Sequence, residues 1–90
     1  MPHHRLDDLL DEVPEQRLDK VRAGVERLTP RELEVLKRAI SGETAGDSAG
    51  NLGISVRTVE LHRQQVLAKL DVKNLTQAVR MIALAQRAQR

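Results

Sequence analysis

Every apolar stripe in this 90-residue chain recurs at intervals of three and four residues, and no segment alternates with a period of two. That spacing gathers side chains on one face of a helix and scatters them around a strand, so it directs the chain to an all-α fold. The strongest instance begins at Thr29. In Thr29-Pro30-Arg31-Glu32 the threonine can cap a helix, and the proline stands in the first turn, where its missing N–H costs nothing. Glu32 can reach back to the Thr29 amide. Leu33, Leu36 and Ile40 then line one face, with Val35 and Ala39 beside them, and Gly42 is placed to end the helix as a left-handed cap. The reading is a helix over about 30–41.

The remaining elements follow the same logic. Leu6, Leu9, Leu10 and Val13 make a short amphipathic pattern over Pro2–Val13, which Pro14 interrupts. Leu18, Val21, Val25 and Leu28 predict a second helix over Glu15–Arg27, read as a packing helix or as a contact for a partner. Ser55 opens a helix over 56–70 with Val59, Val66 and Leu70 on its core stripe, flanked by Val56 and Leu67. Opposite that stripe lie Arg57, Leu61, Gln64 and Ala68, with Glu60 and Gln65 at the margins. A last helix starts near Leu75, capped by Asn74 with Gln77 in its first turn. It is apolar on two sides: Leu75, Ala78, Val79, Ile82 and Ala83 form the expected core stripe, and Met81, Leu84, Ala85 and Ala88 a second. A small domain buries only one, so Met81, Leu84 and Ala88 are candidates for a dimer surface.

Composition narrows the function classes. There is no Phe, Tyr or Trp, so the core is aliphatic and thin, and no Cys, which removes disulfides and thiolate metal sites and fits an intracellular protein. No apolar run reaches transmembrane length and no signal-peptide pattern opens the chain, so a cytoplasmic location without membrane contact is expected. Residues 1–30 hold five Lys/Arg against seven Asp/Glu, and residues 31–90 hold ten against six. From Ser55 onward seven basic residues face only Glu60 and Asp71. A concentrated basic region is the footprint of polyanion binding, or an ordinary solvated face. An enzyme is not expected: no nucleophile elbow, phosphate-cradling loop or paired metal ligands occur, and Gly46 and Gly50 lack the Lys-Ser/Thr that a phosphate loop needs. His3, His4, Asp7 and Asp8 are read as a coincidence, not a metal site. No cofactor is implied.

The ordered set LTPRELEVLKRAISG, LGISVRTVELHRQQVLAKL and KNLTQAVR resembles the helix-turn-helix output domain of the LuxR family, also called FixJ- or NarL-type, over about Leu28–Leu84. The resemblance implies a four-helix domain over 29–90, preceded by one or two short amphipathic helices in an extension or linker over 1–28. It further implies a transcriptional regulator that binds double-stranded DNA, with helix 56–70 in the major groove, as a homodimer on a roughly palindromic site. Family base-reading positions fall on Glu60, Leu61 and Gln64, and on Arg63. Gln64 can pair bidentately with adenine, Leu61 can sit against a thymine methyl and Glu60 can accept from cytosine N4. Phosphate contacts would fall to Arg57, Thr58, Lys69 and Lys73. His62 flanks the core stripe and is read as structural. Glu60 stands where many relatives carry lysine.

The departure from the family lies in GETAGDSAGNLGIS, residues 42–55. The register is kept, but Gly46 replaces the usual lysine and Ser48 a buried isoleucine. Each interior glycine costs about 0.5–1 kcal/mol relative to Ala, and an Ile lost to Ser about 2–4 kcal/mol. Three readings stand at this point. A helix over 45–52 forms, capped by Thr44, with Ser48 bonded to a carbonyl one turn earlier; or the segment orders only on binding; or the domain has lost DNA binding. The last would leave a dimerisation or decoy module. The alternative function is a protein-binding module that pairs with another regulator or with RNA polymerase. Region four of a sigma factor shares the entry and turn, but TVELHRQQVLAKL fits the LuxR type better.

Overall fold

The computed structural model describes residues 13–88. Five helices follow one another among them: α1 (Glu15–Glu26), α2 (Pro30–Ile40), α3 (Ala45–Leu52), α4 (Val56–Leu70) and α5 (Leu75–Ala88). The helix expected over Pro2–Val13 lies, apart from Val13, outside the described residues. None of the described helices is long and apolar enough to cross a membrane.

The helix ends are set locally. At α2 both halves of the capping box form, with the Glu32 amide donating to Thr29 Oγ1 at 3.1 Å and the Thr29 amide to Glu32 Oε1 at 2.9 Å. Gly42 follows with φ 95°, a conformation that favours glycine. The questioned segment is helical, and α3 has a capping box of its own. The Asp47 amide donates to Thr44 Oγ1 at 3.0 Å, and the Thr44 amide to Asp47 Oδ2 at 3.1 Å. Asn74 caps α5 through its Oδ1, which accepts from the Gln77 amide at 2.8 Å.

Two apolar clusters hold the helices. The smaller unites Val35 of α2, Ala49 of α3 and Val59 of α4, with Ala45, Leu52 and Ile54 packed around them. It presses the short α3 between its neighbours. The larger joins Leu36, Val66 and Leu70 to Leu18 and Val21 of α1 and to Ala78, Met81, Leu84 and Ala85 of α5.

Helix α1 therefore packs as part of the domain's core, and a single glycine permits its approach. A Cβ at Gly24 would stand 2.3 Å from the Lys69 carbonyl oxygen and 2.9 Å from Leu70 Cδ2. The contact is tied by polar groups as well: Arg27 Nη2 donates to the Lys69 oxygen at 3.0 Å, and Lys69 Nζ to the Arg27 oxygen at 3.3 Å. Arg22 Nη2 donates to the Ala85 oxygen at 3.1 Å, joining α1 to α5.

This docking buries the stripe of α5 that was expected at a surface. Met81 and Leu84, expected at a dimer surface, are 3% and 8% exposed because Leu18 and Val21 of α1 cover them. The expected core stripe divides: Ala78 is fully buried, Leu75, Val79 and Ile82 are only partly so, and Ala83 is exposed. Ala88 ends α5, and its side chain lies outside what is described. A similar rotation applies to α2. Its buried side is Glu32, Val35 and Leu36, not the stripe through Leu33 and Ile40, and Ile40 is 46% exposed. Ile40 and Ala39 meet Leu75, Thr76 and Val79 in a shallow open groove.

Candidate nucleic-acid interface

The arrangement α3–turn–α4 is a helix-turn-helix, braced by α2 on one side and by α1 at the far end of α4. The turn is closed by Gly53 at φ 68°, and Ser55 caps α4 by accepting from the Thr58 amide at 3.0 Å. Val59, Val66 and Leu70 are fully buried, which fixes the rotation of α4 about its axis. The opposite face is left to solvent: Arg57, Glu60, Leu61, Gln64 and Ala68 are all exposed, with Leu61 at 46%. A continuous outward strip of one cation, one carboxylate, one amide and two apolar groups is suited to base edges rather than to a packed core.

Three of the four expected base readers, Glu60, Leu61 and Gln64, share this strip. Arg63 does not. It is half-buried on the flank of α4, and its Nη2 donates to the Glu43 carbonyl oxygen at 3.1 Å. Its guanidinium is directed at the loop before α3, because the flank position faces that loop and the carbonyl there needs a donor. Of the expected phosphate contacts, Arg57 and Lys73 are exposed. Thr58 is half-buried at the start of α4, its Oγ1 2.8 Å from Ser55 Oγ. Lys69 is committed inside the domain: its Nζ lies 2.7 Å from Oε1 of Glu32, a carboxylate that is itself 6% exposed. A buried carboxylate needs a cation, and Lys69 on the adjoining turn of α4 supplies it. The hydrogen bond from Lys69, joined by that from the Thr29 amide, outweighs burial and holds the Glu32 pKa below the ordinary value.

Ser48 has an unexpected partner. The side chain is wholly buried, and its Oγ donates to Glu43 Oε1 at 3.1 Å rather than to a carbonyl one turn back. The same oxygen accepts from Asn51 Nδ2 at 3.2 Å, and Glu43 Oε2 from Arg38 Nη1 at 3.0 Å. Burial pushes the Glu43 carboxyl up, but the hydrogen bonds from Asn51, Ser48 and Arg38 together leave its pKa below the ordinary value. The buried hydroxyl is thus paired, which removes most of the cost of burying it. The one signal of Glu43 in the sequence is an acid five residues before a hydroxyl at a core position.

The profile described as "Bacterial regulatory proteins, luxR family" matches residues 26–82. The chain belongs to the LuxR family. Among similar proteins, the transcriptional regulatory protein FixJ of Rhizobium meliloti is 43% identical over 61 residues, 68% of this chain and 30% of FixJ. The quorum sensing-dependent regulator RpaR of Rhodopseudomonas palustris is 47% identical over 53 residues, 59% of this chain and 22% of RpaR. The transcriptional regulatory protein LiaR of Bacillus subtilis is 43% identical over 53 residues, 59% of this chain and 25% of LiaR. The chain thus spans less than a third of the length of these relatives. No solved structure matches it significantly. The family match starts at the last residue of α1, so most of the helix that covers α5 lies outside it.

Proposed function

We propose that the chain is the DNA-binding part of a transcriptional regulator and lays α4 in the major groove. The observation that carries this is the exposed strip Arg57–Glu60–Leu61–Gln64–Ala68, opposite a fully buried stripe in a helix braced from both ends. Glu60, Leu61 and Gln64 read bases. Arg57, Thr58 and Lys73 hold phosphates at either end of the helix and set its register. We place α1 (Glu15–Glu26) in the same folding unit as the four helices after it, rather than in a separate extension.

A homodimer on a roughly palindromic site completes the reading. Its interface is the open stripe of α5, Leu75, Val79 and Ile82, with Ala39 and Ile40 at its edge, since Met81 and Leu84 are covered by α1. Val79→Glu should abolish pairing in sedimentation while leaving the fold intact, whereas Met81→Glu should unfold the protein. A dimer that persists in Val79→Glu refutes this interface.

The test of function is selection of bound sequences from a random duplex pool, followed by anisotropy titration of the recovered site against salt. Binding with a steep salt slope is expected, with Arg57→Ala reducing the slope by about one. Gln64→Ala should cost about 1–3 kcal/mol and relax the preference at one base pair. The acid Glu60 on the reading strip, together with a scaffold helix that carries no Lys or Arg, favours a second reading, a module that binds another regulator or RNA polymerase. Failure to bind any duplex at low salt would favour that reading and overturn the first.

A further inference from the structure

One residue outside the reading strip touches all three helices around the turn. The Glu43 amide donates to the Arg38 carbonyl at 3.1 Å, and its carboxylate accepts from Arg38 of α2 and from Ser48 and Asn51 of α3. Its own carbonyl accepts from Arg63 of α4. The residue sits between Gly42, at positive φ, and Thr44, the cap of α3, so no helix of its own restrains it. Its side-chain bonds do so instead. They tie the residue to α2 and α3, and with the Thr44 amide's bond to Asp47 Oδ2 they hold the 43–44 peptide whose carbonyl Arg63 takes as its acceptor.

We propose that Glu43 is a positioning residue for DNA reading. It sets the angle between α3 and α4 and holds Arg63 as a brace, so that this arginine acts on DNA through the placement of α4 and not by touching a base or a phosphate. The proposal rests on the DNA-binding reading above. The apolar cluster alone cannot set the angle: its α3 share is Ala45, Ala49 and Leu52, and only Ala49 is fully in the core. The polar lock supplies the directional restraint that small apolar side chains lack.

Two measurements test it on the intact chain. In anisotropy titrations, Glu43→Ala and Arg63→Ala should each weaken binding to the selected site about tenfold. Binding to unrelated duplex at low salt should change by less than about twofold, since phosphate contacts carry it. The double variant should be no weaker than either single one, and Arg63→Ala should leave the salt slope unaltered. Glu43→Gln, whose amide oxygen still accepts from Ser48 and Asn51, should recover most of the affinity and serves as the folded control. In the free protein, the Arg63 guanidinium N–H signals should exchange slowly with solvent and should lose that protection in Glu43→Ala. A slope reduced by about one in Arg63→Ala would mean a direct phosphate contact and overturns the proposal. Additive losses, or equal losses on specific and unrelated DNA, overturn it too. If the wild type binds no duplex, the DNA reading fails, and unchanged Arg63 exchange in Glu43→Ala then separately overturns the lock.

Discussion

Replacing Gly24 by alanine puts the role of α1 to the test, because two effects of opposite sign compete. Alanine in a helix interior is favoured over glycine by about 0.5–1 kcal/mol, so an unpacked α1 would leave the variant more stable than the wild type. The packed arrangement dictates the reverse. The new Cβ would lie 2.3 Å from the Lys69 carbonyl oxygen, where ordinary contact begins near 3.4 Å, so the backbones must part by about 1 Å. Neither a carbonyl oxygen nor its helix can swing aside as a flexible side chain does. The separation loosens Leu18 and Val21 over Met81 and Leu84 and lengthens the paired bonds between Arg27 and Lys69. Overpacking of this kind costs about 1–3 kcal/mol, which exceeds the helical gain and leaves a net loss of about 1–2 kcal/mol. In a domain of this size the thermal midpoint, followed by circular dichroism at the helix band, should fall by about 5–15 °C. A midpoint equal to or above that of the wild type would show that α1 does not pack on α4 through Gly24.

The same substitution at Gly50 should act in the opposite direction, since nothing lies within 4 Å of a Cβ there. Gly50→Ala should raise stability by about 0.5–1 kcal/mol in urea titration, and a loss would mean that α3 is not helical at that position. The pH dependence of folding should carry the mark of Glu32. Its pKa is lower folded than unfolded, so its contribution is full above the ordinary value of 4.5 and fades as pH falls through the folded value. Thermal midpoints measured from pH 6 to pH 3 should drop less steeply in Glu32→Gln than in the wild type; parallel curves would refute the pairing. Lys69→Met should destabilise by about 1–3 kcal/mol, because it strands the buried carboxylate, yet leave the salt slope of DNA binding unchanged. A slope lowered by one would return Lys69 to the phosphate contacts.

What was legible in the sequence follows from the range of the forces involved. Caps depend on residues three apart, so Thr29 with Glu32, Gly42 and Asn74 could be read directly, and of the three readings of 45–52 the helix capped by Thr44 is the one that forms. The reading strip of α4 was legible for a related reason: only one of its faces is apolar, so burial of Val59, Val66 and Leu70 leaves a single choice for the other side. Helix α5 offered two apolar faces. The choice between them was made by α1, a helix some fifty residues away in the chain, through the close approach that Gly24 permits.

The misplaced cations have a common cause. Lysine and arginine reach several ångströms from the backbone, and helical position does not say which way they reach. Lys69 and Arg63 both lie on the flanks of α4, where a buried acceptor on a neighbouring element competes with solvent or DNA. Glu32 wins Lys69 because a capping-box carboxylate, once its helix packs against α4, is shut off from most solvent. The Glu43 carbonyl wins Arg63 because the loop that presents it is held rigid by Arg38, Ser48 and Asn51. Serine at position 48 therefore does more than weaken α3. It puts a donor in the core where Glu43 can use it, and ties α3 by a directional bond to the loop whose carbonyl Arg63 of α4 takes.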